Sequence, residues 1–279
     1  MGWSERRALL EKVEKQRNSR AVLYVTSDRP AQETIIHSEV FDTFVDHLDA
    51  IGVTKRISLI LYTRGGDGMA AWSLFTLLRM FCDELEVIVP LKAHSAGTMM
   101  AIGADRIIMT KQATLSPIDP SINHPLGPQV MGAPLGTRTQ VSVEAIKGYL
   151  DLAESTIGKE RPSEMSQVLL DLARQVHPLV LGETNRRRQQ TQSLAERLLS
   201  HVRSADNRKK IISFLSSDSG SHDYTLSRRE AKTLGLPVEQ CTARMYSALS
   251  ALYKDFRDEM QLRVPFKVQS IPAKRDYAF

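Results

Sequence analysis

The sequence predicts an α/β protein with a helical C-terminal region. Three observations carry this. Short apolar runs rich in β-formers recur through the first part of the chain, helical apolar spacing separates them, and from Val143 onward the pattern is helical. Strands alternating with helices indicate βαβ units, hence a largely parallel sheet with right-handed crossovers.

Taken in order, residues 4–16 carry Ala8, Leu9, Leu10 and Val13 in amphipathic spacing and form an N-terminal helix within residues 1–20. Residues 21–25 (Ala-Val-Leu-Tyr-Val) are a first buried strand. Phe41, Phe44, Val45, Leu48 and Ile51 mark a helix, and residues 57–62 a second strand. Thr63-Arg-Gly-Gly-Asp-Gly68 leads into a helix carrying Trp72, Phe75, Leu78 and Met80. A third strand at 85–89 is closed by Pro90, a helix spans about 95–104, and a short strand covers 106–109. Residues 116–140 hold five prolines and three glycines and read as a long loop, a length that in compact domains tends to be functional or disordered. Helices follow at about 143–157, 163–175, 184–203 and 238–260. The expected division is therefore an N-terminal helix (1–20), an α/β core (21–180) and a mainly helical region (181–279) for packing and oligomerisation.

Composition narrows the function classes. The 279 residues are 42% hydrophobic and 25% charged, which is ordinary globular usage and excludes wholesale disorder. Two cysteines, Cys82 and Cys241, are too few for a disulfide framework, and the seven histidines show no ligand spacing, so neither a metal nor a cofactor is expected. The first twenty residues contain nine charged side chains and no apolar core, and no apolar run reaches membrane-spanning length. A cytoplasmic protein without a membrane anchor is the expectation. A net charge of +5 from 37 basic and 32 acidic residues is mild. The runs Arg186–Arg188 and Arg208–Lys210 lack interleaved aromatics, so a solvated face or protein contact is expected rather than nucleic acid.

Two turns at the C-terminal ends of neighbouring predicted strands hold the candidate chemistry, where open α/β sheets place their sites. Arg64-Gly65-Gly66-Asp67-Gly68 allows close backbone approach and leaves N–H groups able to bind an anion or oxyanion. By itself a strand–Gly-Gly–helix turn is a tight turn. His94-Ser95-Ala96-Gly97-Thr98 puts a serine at a helix N-terminus, among small residues that admit a substrate carbonyl. By itself Ser95 is an N-cap. The pairing of the two turns favours a site.

Gly65-Gly66, Ser95-Ala96-Gly97 and the following Ala101-Ile-Gly-Ala-Asp-Arg-Ile-Ile-Met109 resemble the core of the Clp-protease/crotonase fold. Within it the similarity is to serine peptidases grouped with signal peptide peptidase A, and among these to the serine dehydrogenase proteinases. Leu115-Ser-Pro-Ile-Asp-Pro120 resembles a block of that family, and Glu230-Ala-x-x-Leu-Gly-Leu236 a late helix of these peptidases. The resemblance implies a Clp/crotonase-like α/β core, Ser95 as nucleophile, and an oxyanion hole from the Gly65 and Ala96 amides with Gly66 alongside. It also implies a peptide or protein substrate and a homo-oligomer.

The base departs from the Clp pattern. The position equivalent to the Clp histidine falls at Pro117 to Asp119, where no histidine stands. The signal-peptidase branch uses a lysine near the start of a later helix, and Lys147, 52 residues after Ser95, matches that pattern. To accept a proton, a lysine must drop from about 10.4 by roughly three units, which costs about 4 kcal/mol of ammonium solvation. Ile146, Tyr149 and Leu150 could desolvate it; as a helix residue alone it would face solvent. His124, in the proline-rich loop, is the alternative base. His94 adjoins Ser95 and is expected to point away, in a supporting or packing role, and Asp119, like Asp67, is expected to orient neighbours or cap a helix. His222-Asp223 reads as a turn or contact pair.

The sequence thus points to a serine peptidase with a Ser95–Lys147 dyad acting through an acyl-enzyme. Two rivals use the same residues: a crotonase-like acyl-CoA enzyme in which the paired turns hold a thioester enolate, and a non-catalytic oligomeric scaffold in which Ser95 is only a cap.

Overall fold

The computed structural model describes the chain except residues 119, 135, 158–160, 220, 222, 266 and 268–279. In chain order the elements are α1 (Trp3–Arg17), β1 (Arg20–Val25), α2 (Phe41–Ile51), β2 (Thr54–Tyr62), α3 (Gly68–Met80), β3 (Cys82–Val89), β4 (Lys92–Ala93), α4 (Ala96–Ile102), β5 (Arg106–Met109) and β6 (Thr114–Leu115). There follow β7 (Ser121–Ile122), β8 (Val141–Ser142), α5 (Val143–Ile157), α6 (Pro162–Gln175), α7 (Pro178–Leu198), α8 (Ala205–Ser213), β9 (Leu226–Ser227), α9 (Arg228–Thr233), β10 (Val238–Gln240) and α10 (Ala243–Glu259).

Five strands form one parallel sheet in the order β1-β2-β3-β5-β10. Parallel strands covered on both faces must be apolar on both, and β2 and β3 are buried without alternation over most of their length. One face, with Leu59, Leu61, Leu85, Val87 and Val89, packs on α2, α3, α4 and α7 through residues such as Leu48, Leu74, Met100 and Leu198. The other, with Ile60, Tyr62, Ile88 and Ile108, packs on α1 and α10 through Val13, Met245, Leu249 and Leu252. Period-two alternation along each strand makes this division.

The α1/α10 face also carries a buried polar cluster. Glu86 on β3 is 1% exposed in its side chain and accepts hydrogen bonds from Arg17 Nε and Nη2 at 2.6–3.0 Å and from the Ser58 hydroxyl. Ser58 and Glu86 are register partners on β2 and β3, so the carboxylate meets its cation only where the end of α1 crosses the sheet.

Two expectations change. The helix expected over 238–260 begins only at Ala243, because Thr242 caps it by accepting the Met245 N–H at 3.2 Å. The residues before it, Val238–Gln240, instead pair with β5 and complete the sheet. The helix expected over 184–203 begins earlier, at Pro178, where a proline fits the first turn and His177 Nδ1 accepts the Leu179 N–H. The segment 116–140 is largely irregular, as expected, and is closed by the two-residue antiparallel ladder β7–β8. A small sheet, β4-β6-β9, sits beside the main one.

Removing one partner of a buried ion pair strands the other. Arg17→Ala is therefore expected to lower stability by about 3–5 kcal/mol. Arg17→Met/Glu86→Met should recover most of that loss, as read by urea unfolding of both variants.

The His201 ring, after the end of α7, is pushed below its ordinary value of 6.5. Burial is the main cause, opposed by a hydrogen bond to the Leu198 carbonyl and the nearby Asp105. The folded state then resists protonation that the unfolded chain accepts. Its contribution is full above about pH 6.5 and is lost as pH falls through and below that value. The urea midpoint should drop between pH 7 and 5.5, and His201→Phe should reduce that drop; an equal drop in the variant would contradict it.

Candidate active site

The site lies at the C-terminal ends of β2 and β3. Beyond β2 the chain continues as Thr63-Arg-Gly-Gly-Asp67, with Thr63 bridged to Ala93 on one edge and Gly66 bridged to Ile36 on the other. Gly65 and Gly66 adopt φ of +117° and +148°, conformations that residues with a Cβ rarely adopt. Space demands glycine as well. A Cβ on Gly65 would come within 2.7 Å of Ser95 Cβ, and one on Gly66 within 2.3 Å of the Ile36 carbonyl oxygen. The two turns are therefore in direct contact.

Backbone donors divide clearly at this turn. The Gly65 N–H donates to Thr63 Oγ1 at 3.0 Å. Ile36 N–H donates to the Gly65 carbonyl and Asp67 N–H to the Ile36 carbonyl, both at 2.8 Å, so the Gly66 N–H points away from Ile36. Asp67 caps α3, accepting the Ala70 N–H at 2.7 Å. Arg64, half exposed, lies 3.5 Å from Glu33 and 3.9 Å from Asp28. Asp28 in turn receives the Tyr62 hydroxyl and the Lys92 ammonium; burial first, then this carboxylate, pushes the Tyr62 phenol well above its usual range.

Ser95 immediately precedes α4 with φ +49° and ψ −115°, a strained conformation for a residue with a side chain. It makes no side-chain cap, so the N-cap alternative is not what the hydroxyl does. Its N–H donates to the Ser116 hydroxyl at 2.8 Å. Ala96 opens the helix, where a first-turn N–H has no intrahelical acceptor. The arrangement resembles a nucleophile elbow, in which a sharp strand-to-helix turn presents a hydroxyl beside free amides.

Ser95, Gly65 and Gly66 line one cavity of about 580 Å³, together with residues that include Met69, Gln140 and Arg187. Arg187 is paired with Glu183 at 2.9 Å. Among the described residues that line it there is no lysine and no histidine. Lys147, on α5, pairs with Asp151 at 3.1 Å and lines a different cavity with Ser142, Ser216 and Ser217. His94 Nε2 is 2.9 Å from Thr114 Oγ1, and His124 Nδ1 accepts the Leu126 N–H at 3.1 Å. Asp119 and His222 lie outside the described residues. The structure thus brings Ser95 to the two glycines and Ala96, and holds Lys147, His94 and His124 in other contacts.

Other nucleophiles are poorly placed. Cys82 and Cys241 are buried, and burial pushes both thiols up to about 11, well away from thiolate formation near neutral pH. No group of three or more His, Cys, Asp or Glu is arranged to hold a metal ion among the described residues. Sequence reasoning missed Thr63, Thr98 and Ser116, whose hydroxyls organise the turns. Ser116 stood within a block already noted, but its bond to Ser95 joins residues 21 apart.

Residues 3–140 match the family model described as ClpP-like SDH-type serine proteinase. Two uncharacterized proteins of Methanocaldococcus jannaschii are similar. MJ0137 is 28% identical over 200 residues, and the alignment covers 72% of this chain and 59% of that protein. MJ1495 is 25% identical over 250 residues, covering 88% and 75%. This chain therefore spans about three fifths of the length of MJ0137. Among solved structures, the membrane-bound stomatin-specific protease 1510-N in complex with a substrate peptide shares 15% identity at a TM-score of 0.46, covering 79% of this chain and 74% of that one. ClpP1 from Listeria monocytogenes shares 14% at 0.42, covering 84% and 98%. The matched segment holds the Gly65–Gly66 turn, the Ser95 turn and four of the five strands of the main sheet, so it is over the α/β core that this chain is similar to the ClpP-like SDH-type serine proteinases.

Proposed function

We propose that this chain hydrolyses peptide bonds through an acyl-enzyme on Ser95, with the Gly66 and Ala96 amides as oxyanion hole and Lys147 as general base. The observation that carries the reading is the Ser95 turn itself. A strained serine, its hydroxyl not used as a cap, touches a Gly-Gly turn at the mouth of a cavity. Strain of this kind persists only where surrounding structure enforces it, and it clusters at active sites.

Ser95 Oγ attacks the scissile carbonyl carbon as its proton passes to the base. The tetrahedral oxyanion then sits between two backbone N–H donors. Collapse breaks the C–N bond, the base returns its proton to the leaving amine, and an ester to Ser95 remains. Water, deprotonated by the same base, attacks the ester carbon; the C–Oγ bond breaks, the base returns the proton to Ser95 Oγ, and the acid leaves. Gly66 rather than Gly65 supplies the second amide on this reading, since Gly65 already donates to Thr63.

Support for Lys147 comes from the chain path. Ser121 and Gln140 border the Ser95 cavity; Ser121 belongs to β7, and its partner strand β8, which follows Gln140, runs directly into α5. In the present conformation the ammonium faces Asp151, so its use as base requires α5 to carry it across to Ser95. The reading also includes a homo-oligomer. α6 has no buried residue although it is strongly amphipathic, and Leu169 and Leu170 on it, with Leu152 on α5, are exposed.

A serine-directed fluorophosphonate probe should label the full chain at Ser95, with labelling and peptidase activity both lost in Ser95→Ala. Well-folded protein that takes no label would sink the peptidase reading and leave the acyl-CoA or scaffold alternatives. Lys147→Ala should lower acylation by about 10²–10⁴-fold; full retention in that variant with loss in His94→Ala or His124→Ala would reassign the base.

Sedimentation velocity should give an oligomer at micromolar concentration that Leu169→Glu/Leu170→Glu dissociates. A wild-type monomer would remove assembly from the proposal.

A further inference from the structure

Ser116 follows β6 and has no part in the chemical steps proposed above. It is 3% exposed, and its hydroxyl lies between two backbone groups: it accepts the Ser95 N–H at 2.8 Å and donates to the Pro117 carbonyl at 2.9 Å. Its own N–H donates to Thr98 Oγ1 at 3.0 Å. Thr98, fully buried, donates that hydroxyl to the Ala93 carbonyl at 2.8 Å. These bonds form a closed circuit from Ala93 through α4 to Ser116 and back to Ser95.

Ser95 requires such a hold. At φ +49° its backbone lies off the conformations a residue with a Cβ prefers. Rotation about φ redirects Cβ and Oγ, and rotation about ψ redirects the Ala96 N–H. The same two angles thus aim both the hydroxyl and an oxyanion donor. With the Ser95 N–H fixed on a buried acceptor, relaxation toward ordinary helical angles would break that hydrogen bond and leave the Ser116 hydroxyl, 3% exposed as a residue, without its donor.

We infer that Ser116 is a positioning residue for the nucleophile. Its hydroxyl, oriented by Pro117 and anchored by Thr98, locks the Ser95 backbone so that Oγ and the Ala96 amide keep attack geometry. The inference rests on the proposed role of Ser95 as nucleophile. A serine that merely satisfied its own polar atoms would leave acylation unchanged when removed.

The full chain is compared as wild type, Ser116→Ala and Ser116→Thr. Ser116→Ala should slow fluorophosphonate labelling at Ser95 on the order of 10- to 100-fold, the scale of a small misplacement of reacting groups. Peptide KM should stay within about twofold, so that the loss falls in kcat. Ser116→Thr, which keeps the hydroxyl, should restore most of the rate. Hydrogen exchange supplies a second readout: the Ser95 amide should lose protection in Ser116→Ala while the Ala104 amide just beyond α4, which donates to the Ala101 carbonyl, keeps it. Wild-type labelling by Ser116→Ala overturns the inference, and so does a slow Ser116→Thr whose Ser95 amide stays protected. Should Ser116→Ala not fold, Ser116→Cys, whose sulfur accepts only weakly, takes its place with the same outcomes. A wild-type chain that no fluorophosphonate labels overturns the peptidase reading instead; unchanged exchange of the Ser95 amide in Ser116→Ala then overturns the Ser116 role independently.

Discussion

The contact between Gly65 and Ser95 governs the arrangement of this molecule. Adjacent parallel strands deliver two turns so close that a single added Cβ would meet Ser95 Cβ at 2.7 Å. That approach depends on the register that aligns β2 with β3, and on both strands being buried on both faces, which leaves them no freedom to slide. It depends also on hydroxyls in place of bulk. Thr63 takes the Gly65 N–H, Thr98 takes the Ser116 N–H, and Ser116 takes the Ser95 N–H. Each is a short polar side chain that satisfies a backbone donor which would otherwise be stranded in a dry interior.

The two faces of the sheet divide the work. Toward α2, α3, α4 and α7 the packing is almost wholly apolar, and Ser95 opens from that side beside Leu194 of α7. Toward α1 and α10 the apolar residues are joined by ionic groups. Arg17 meets Glu86 at one end of the strands, and Lys92 and Tyr62 meet Asp28 at the other. Buried charge is costly unless paired and hydrogen-bonded, so these pairs serve better as registration marks than as sources of stability. The second cluster also reaches the site, because Asp28 lies 3.9 Å from Arg64, the residue before Gly65. A conventional sheet residue, Tyr62, is in this way coupled to the backbone that forms the turn.

Much of the architecture was legible because it rests on local patterns. The apolar runs marked β1, β2, β3 and β5, though not the two-residue β4, and the Gly-Gly and Ser-Ala-Gly turns stood out at the ends of β2 and β3. What stayed hidden depends on pairing between distant residues. Val238–Gln240 is too short and too polar to signal a strand, and it becomes one only because β5 offers an open edge. Ser116 reads as the first residue of the long loop, and Thr98 as one more small residue after Ser95; no periodicity connects either to a backbone amide. The strained φ of Ser95 is equally silent in the sequence, since serine is common before helices in ordinary cap geometry.

These differences in legibility follow a physical division within the site. Ser95 and the Gly66 and Ala96 amides sit at strand ends locked by the buried sheet, and their geometry is set by contacts that cannot relax one at a time. The proposed base is carried differently: Lys147 lies on α5, which follows the β7–β8 ladder and meets α7 through Glu144 and Arg188, with its ammonium on Asp151. Lys147 lines a different cavity from Ser95, so on the proposed mechanism a displacement of α5 must bring the amine to the hydroxyl. The oxyanion geometry is then set at the ends of the buried strands, whereas delivery of the base depends on where one helix lies.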